Sequence, residues 1–353
     1  MRIVIFSLFV CIAFCTCQNN HHSRTAPWSV EQANRWHQQW GWLRGCNFQP
    51  STAVNTIEMW QADTFDPETI DRELGWAAAI GFNCMRVYLH HVAWEGDREA
   101  FKKRMAQYLD ISAKHGISTL FVFFDDCWNP TYSAGIQPEP IPGVHNSGWV
   151  KDPGDLIDDP ETMKLLEIYM KDVITAFKDD KRIVLWDLYN EPGNSSYGQK
   201  SLDLVQKAFE WARTVNPSQP LSVGVWDWEL EDFNKVQLAN SDIITYHDYN
   251  NAEKHQQLID TLRHYAQGRP MVCTEYMARR NGSTFQEIMP MLKRENIGAF
   301  NWGLVAGKTN TIYAWGTKHP DDTEPPVWFS DIFRKDGTPF SQEEIDRIKS
   351  LCK

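Results

Sequence analysis

A single (β/α)8 barrel of the TIM type is the fold that this 353-residue sequence predicts, and three observations predict it. Short apolar runs of strand length alternate with helical stretches from residue 41 onward, with no shift in composition to mark a second domain. The alternation reaches eight strands over roughly 300 residues, the size of such a barrel. The strands, built of Val, Ile, Leu and Phe, nearly all stop at a polar or aromatic residue, as they would if their C-terminal ends opened on one cleft.

In chain order, Ser29 and Gln32 make a capping box that opens a helix to Gln39. Gly41 to Phe48 reads as the first strand, followed by a helix from Pro67 to Ile80. Cys84 to Leu89 is the second strand, and its helix, Arg98 to His115, ends before Gly116. Ser118 to Phe124 is the third. A long loop rich in Pro, Gly and Trp then runs from Asp125 to Asp158. Asp159 caps the next helix with Pro160 at its first position, and that helix reaches Phe177. The fourth strand, Ile183 to Asn190, has five apolar residues among its first six, the pattern of a strand buried on both faces. Pro192 lacks the N–H that a sheet ladder needs, so the strand ends at Asn190-Glu191. Its helix is Ser201 to Val215. Leu221 to Trp226, Ile243 to Tyr246, Met271 to Thr274 and Gly298 to Trp302 are strands five to eight. Their helices are 231–238, 252–267, 284–295 and, after a second long loop, a closing helix at 341–351.

The first sixteen residues have the form of an export signal: Met1-Arg2, then an apolar run from Ile3 to Phe14, too short to span a bilayer. Cys17, followed by polar residues, resembles the lipidated cysteine of a bacterial lipoprotein, and plain cleavage is the alternative. The expected organisation is therefore signal 1–16, linker 17–28 and one catalytic domain 29–353. The product is expected to be exported: periplasmic, anchored at the outer membrane through Cys17, or else secreted. Net charge is −11 and no Lys/Arg-rich run occurs, which excludes nucleic acid as the natural partner. Cys46, Cys84, Cys127, Cys273 and Cys352 form no C-x-x-C pair, so buried free thiols are expected rather than a disulfide framework or a zinc site. A monomer is expected.

Gathered at one rim, the strand ends supply Asn47 and Gln49; Arg86 with His90 or His91; Asp125, Asp126 and Trp128; Asn190 and Glu191; Trp226, Asp227 and Trp228; His247, Asp248 and Tyr249; Glu275; and Trp302. Two glutamates among aromatic rings and hydrogen-bonding side chains suit cleavage of a glycosidic bond. That reaction needs one carboxyl group to protonate the leaving oxygen and one carboxylate on the other side of the anomeric carbon. Two nearby carboxylates suit it because ionising one raises the pKa of the other. Flat aromatic faces fit the C–H faces of a pyranose, and Asn190, His247 and Arg86 offer donors for its hydroxyls.

Asn190-Glu191-Pro192 ending the fourth strand and Glu275 ending the seventh resemble the signature of clan A glycoside hydrolases, and glycoside hydrolase family 5, the cellulase-like family, is the nearest in pattern. His247-Asp248-Tyr249 and Trp302 carry the resemblance further, over nearly the whole chain after the signal. It implies Glu191 as acid/base and Glu275 as nucleophile. It implies Asn190 at the hydroxyl beside the anomeric carbon, with His247 and Tyr249 in the catalytic subsite and Tyr249 orienting Glu275. It also implies Arg86 holding the nucleophile ionised and Trp302 as the sugar platform. The family often has a His at the end of strand three where this chain has Asp125-Asp126, followed by Cys127-Trp128. Those carboxylates are expected to read sugar hydroxyls, or Asp126 to bond Arg86.

The resulting expectation is a retaining β-glycosidase acting by double displacement on an oligosaccharide or polysaccharide of plant or microbial origin, with no cofactor. Retention follows if the two glutamates sit about 5 Å apart. Two other readings use the same residues: a metal-dependent barrel hydrolase on His90, Asp125, His247 and Asp248, and a non-catalytic sugar-binding lipoprotein on the same scaffold. The long loops after strands three and eight would either wall off the cleft or line an extended groove.

Overall fold

The computed structural model of the protein describes residues 24–320 and 323–353. The expected signal at 1–16 and Cys17 lie outside the described residues. Of the expected linker, Arg24 and Trp28 are tied to the barrel: both are held by Asp242, at 2.8 Å and 2.7 Å.

Eight parallel strands make one sheet: β1 (Arg44–Asn47), β2 (Cys84–Tyr88), β3 (Ser118–Asp125), β4 (Ile183–Asn190), β5 (Leu221–Ser222), β6 (Ile244–His247), β7 (Met271–Tyr276) and β8 (Gly298–Trp302). Their order, β5-β4-β3-β2-β1-β8-β7-β6, is that of a barrel cut between β5 and β6. The cut is bridged, because Val225 N donates to Thr245 O at 3.0 Å and His247 N to Val225 O at 2.9 Å. The predicted single (β/α)8 barrel is the observed fold. β4 and β8 have the predicted bounds, whereas β5 is two residues long instead of six. Beyond Ser222 the chain follows β6 only through Val225.

The helices are α1 (Val30–Trp40), α2 (Thr56–Trp60), α3 (Pro67–Ala79), α4 (His91–Gly96), α5 (Arg98–Lys114), α6 (Pro160–Phe177), α7 (Lys200–Val215), α8 (Glu231–Asn240), α9 (Ala252–Ala266), α10 (Ile288–Arg294) and α11 (Gln342–Cys352). Ser29, Asp66, Asp97, Asp159, Asn251 and Ser341 each cap a helix by accepting a backbone N–H with the side chain. The sequence reading missed α2 and α4, both too short for a periodic pattern. Among the described residues no helix is long and apolar enough to cross a membrane.

Period-two alternation divides the core. On β3, Leu120 and Val122 point into the barrel with Leu43, Cys84, Val184, Val272 and Phe300. Phe121 and Phe123 point out, into the layer between strands and helices. Trp36 on α1 closes the bottom of the barrel and donates to Val184 O at 2.9 Å. The register then sets the polar strand ends side by side: Asn47 opposite Arg86 and Trp302, Asp125 opposite Asn190, and His247 opposite Glu275.

Candidate active site

On β2, Cys84, Arg86 and Tyr88 share the inner face, so the interior apolar layer gives way to a buried guanidinium. Arg86 is fully buried, and its fork reaches across the barrel to two carboxylates: Asp187 on β4 at 2.7 Å and Glu275 on β7 at 2.6 Å. Asn47 Oδ1 and Asn190 Oδ1 accept from the same fork, each at 2.8 Å. Burial pushes Asp187 up, against the pull of the Arg86 charge. Asp126 does not bond Arg86.

Glu275 is held at both oxygens. Oε1 accepts from Arg86 at 2.6 Å and from the Tyr88 hydroxyl at 2.8 Å, and Oε2 accepts from the Tyr249 hydroxyl at 2.5 Å. Glu191 follows β4 in the left-handed region at φ 44°, a conformation costly for a residue with a Cβ. Its Oε1 meets His247 Nδ1 at 2.8 Å, and its Oε2 accepts from Asn194 Nδ2 at 2.6 Å and from the Cys127 thiol at 3.2 Å. Burial pushes Glu191 up, but the hydrogen bond and charge of His247, with the bonds from Cys127 and Asn194, outweigh it and hold the carboxyl below its ordinary value. His247 Nδ1 also lies 3.6 Å from Glu275 Oε2, and one oxygen of each glutamate and this ring nitrogen all fall within 4.8 Å of one another.

These groups open on a cleft of about 630 Å³. Of the residues expected there from the sequence, Asp125, Trp128, Asn190, Glu191, His247, Tyr249, Glu275 and Trp302 line it, as do Trp226, Asp227, Trp228 and Asp248. Arg86 lies beneath the floor. Trp302 stands edge-on to Tyr88, with ring centres 6.0 Å apart. Asn190 donates to Asp125 Oδ1 at 2.9 Å, and Trp149 donates to Asp125 Oδ2 at 2.7 Å. Burial pushes Asp125 up to about 7.

Three expectations are corrected. Asp126 faces away from the cleft: it accepts from the Tyr189 hydroxyl at 2.7 Å, from Gly193 N at 2.6 Å and from Ser201 Oγ, so it anchors the loop after β4. Neither His90 nor His91 reaches the cleft. His91 pairs with Asp152 at 2.5 Å and His90 Nε2 meets Lys151 O at 3.1 Å, both under the ring of Tyr132. The four residues of the metal-dependent reading are therefore not assembled, since His90 is packed elsewhere. Cys127 is the one described cysteine beside a site carboxylate rather than in the core. Burial pushes its thiol well up, so it stays protonated.

Tyr88, Asp187, Asn194, Trp149, His145 and Trp315 escaped the sequence reading. Two had a signal: Tyr88 shares a strand face with Arg86, and Asp187 is the one charged residue within Ile183–Leu188.

The family model Cellulase (glycosyl hydrolase family 5) matches residues 76–308. Among solved structures, GH5_18 from Streptomyces cattleya in complex with GlcNAc is similar over 88% of this chain and 79% of that one, at 12% identity and a TM-score of 0.61. An endo-1,4-β-D-mannanase from Thermotoga petrophila RKU-1 aligns over 88% of this chain and 99% of its own, at 14% identity and a TM-score of 0.57. An exo-β-1,4-mannosidase from Opitutaceae bacterium strain TAV5 aligns over 88% of this chain and 59% of that chain, at 17% identity and a TM-score of 0.60. No curated protein matches the sequence.

Proposed function

We propose that this chain, which belongs to glycosyl hydrolase family 5 and is therefore a glycosidase acting on glycans, cleaves a β-glycosidic bond with retention of configuration. The observation that carries the proposal is the closeness of Glu191 and Glu275, whose nearest oxygens lie within 4.8 Å. Inverting enzymes need about 6.5–9.5 Å between carboxyl groups to admit a water, while direct attack needs about 5 Å.

In this reading Glu275, oriented by Arg86, Tyr88 and Tyr249, attacks the anomeric carbon. The bond from that carbon to the glycosidic oxygen breaks as Glu191 gives the oxygen its proton. Water then enters from the side the leaving group vacated. Glu191 takes the water's proton, and the glycosyl ester on Glu275 is cleaved. Glu191 is held low in the free enzyme by His247, Cys127 and Asn194. A bound substrate must displace part of that hydrogen bonding for the acid to carry its proton. Trp302 supplies the face on which the sugar rests, and Asn190 reaches the hydroxyl beside the anomeric carbon. β-Mannosides are the first substrates to try, because the Thermotoga petrophila and Opitutaceae proteins are named for them.

The test is trapping. Glu191→Ala given an aryl β-glycoside with a good leaving group should gain the mass of one sugar, and peptide mapping should place the sugar on Glu275. An α-anomer released first, or a sugar attached at another residue, would overturn the reading.

A further inference from the structure

The cleft has one closed end. The loop after β3 and the loop after β8 are knitted to each other: Asn146 N donates to Thr309 O at 2.8 Å, His145 Nδ1 meets Tyr313 O at 2.7 Å, and Val144 bridges Lys318 antiparallel. The loop after β1 is joined to them. Asn55 Nδ2 donates to Gly148 O at 2.9 Å, and a Cβ on Gly148 would come within 2.3 Å of Val54. This seam carries Trp149 inward until its ring stands edge-on to Tyr88 and Trp302, at 5.2 Å and 5.7 Å. Behind Trp149 and Trp302, over β1, there remains a void of about 10 Å³, room for one water at most. No sugar ring can continue past Trp302 in that direction.

The other end is open. Past Glu191 the cleft runs out between the loops after β5 and β6, where Trp228 is 39% exposed beside Trp226. The proton donor must lie at the oxygen between the cleaved sugar and its leaving group. If Glu191 is that donor, the leaving group extends along β4 and β5, and the cleaved sugar lies between Glu191 and the wall.

We infer that the enzyme is exo-acting: it holds one β-linked sugar in a blind subsite ended by Trp149 and Trp302, and removes it from the non-reducing end of an oligosaccharide whose remainder lies along Trp226 and Trp228. The inference rests on the roles proposed above for Glu191 and Glu275. It deepens them by naming the substrate as a chain end, taken one sugar at a time.

The experiment uses the full chain and a ladder of β-linked oligosaccharides labelled at the reducing end, made of the sugar that the aryl β-glycosides identify. It adds the same oligosaccharides blocked by an alkyl cap on the terminal non-reducing sugar. The expected result is monosaccharide as the sole released product, labelled chains shortening by one sugar per step, and at least a hundredfold slower turnover of the capped series. Release of disaccharide or longer pieces, or capped chains cut at the uncapped rate, would overturn the inference while leaving the glycosidase reading intact. Cleavage of neither aryl β-glycosides nor β-linked chains would instead strike the parent reading, and this inference with it.

Discussion

Among the described residues, this barrel holds two clusters of carboxylate and imidazole at the same spacing but in opposite proportion, two carboxylates with one histidine against one carboxylate with two histidines. In one, Glu191, His247 and Glu275 bring three ligand-type atoms within 4.8 Å of one another, and in the other His90, His91 and Asp152 do the same. The first opens on the cleft, and its carboxylate oxygens stay in reach of a sugar. The second is sealed beneath Tyr132, with Asp152 fully engaged by the ring and the backbone N–H of His91. The loop after β3 comes back across the barrel rim to supply Asp152, and Asp125 and Asp152 exchange backbone hydrogen bonds at 2.9 Å each. The two therefore differ in access as well as in their ratio of carboxylate to imidazole. Chemistry follows where a strand end meets an opening, and where a loop covers it carboxylate and imidazole become a clamp.

The comparison breaks most sharply at Glu275. Glu275→Gln keeps the volume and removes the charge that Arg86 and Tyr249 orient, so kcat on an aryl β-glycoside should fall by several orders of magnitude. Near-normal turnover in this variant would mean that the open cluster is as structural as the sealed one.

How much of this contrast the sequence carried depends on periodicity. Two strands were legible to the residue: Ile183–Asn190, a mostly apolar run that stops just before Pro192, where no N–H is left for the ladder, and Gly298–Trp302, a short run between glycines. The pairing of Glu191 with Glu275 was legible for the same reason, as both sit at strand tips of one ring. The fate of neighbours was not. Asp125 and Asp126 are adjacent, yet one lines the cleft and the other grips Ser201 and Gly193, because the strand has ended and the alternation that would sort them has lapsed. His90 and His91 were misplaced because α4 begins at His91 and turns both rings under the loop after β3. Trp149, His145 and Trp315 lie on loops whose meeting depends on tertiary packing, for which a sequence has no local period.

A smaller effect separates the clusters by pH. Burial drives His90 from 6.5 to about 4 against the opposing pull of Asp152 and the Lys151 carbonyl, with His91 adding to the fall. Between those two values the unfolded chain takes up a proton that the folded chain refuses, so the contribution is full above pH 6.5 and lost as pH falls toward 4. The drop from 6.5 to about 4 corresponds to about 3 kcal/mol. His90→Asn, with a side chain still able to cap α4, should show a flatter decline in unfolding free energy from pH 7 to pH 4 than the parent, measured by urea titration at each pH. Parallel curves would show that His90 titrates freely in the folded chain and that the cluster is not sealed.

The smallest effect belongs to the open cluster and runs through activity alone. Burial alone would raise the Glu191 carboxyl, and His247 is the leading group that reverses this. His247→Ala removes the leading hydrogen-bond partner of Glu191 while leaving the weaker donors Cys127 and Asn194 in place. Glu191 should then keep its proton to higher pH, and the alkaline limb of the kcat/KM profile, which reports the acid in the free enzyme, should move upward. Because Glu191 and Glu275 interact, the limb belongs to the pair rather than to one residue, but its direction does not depend on that division. A limb that stays in place or moves down would leave His247 as a contact of the sugar rather than the group that sets the proton on Glu191. The two clusters would then differ in electrostatics less than their geometry implies.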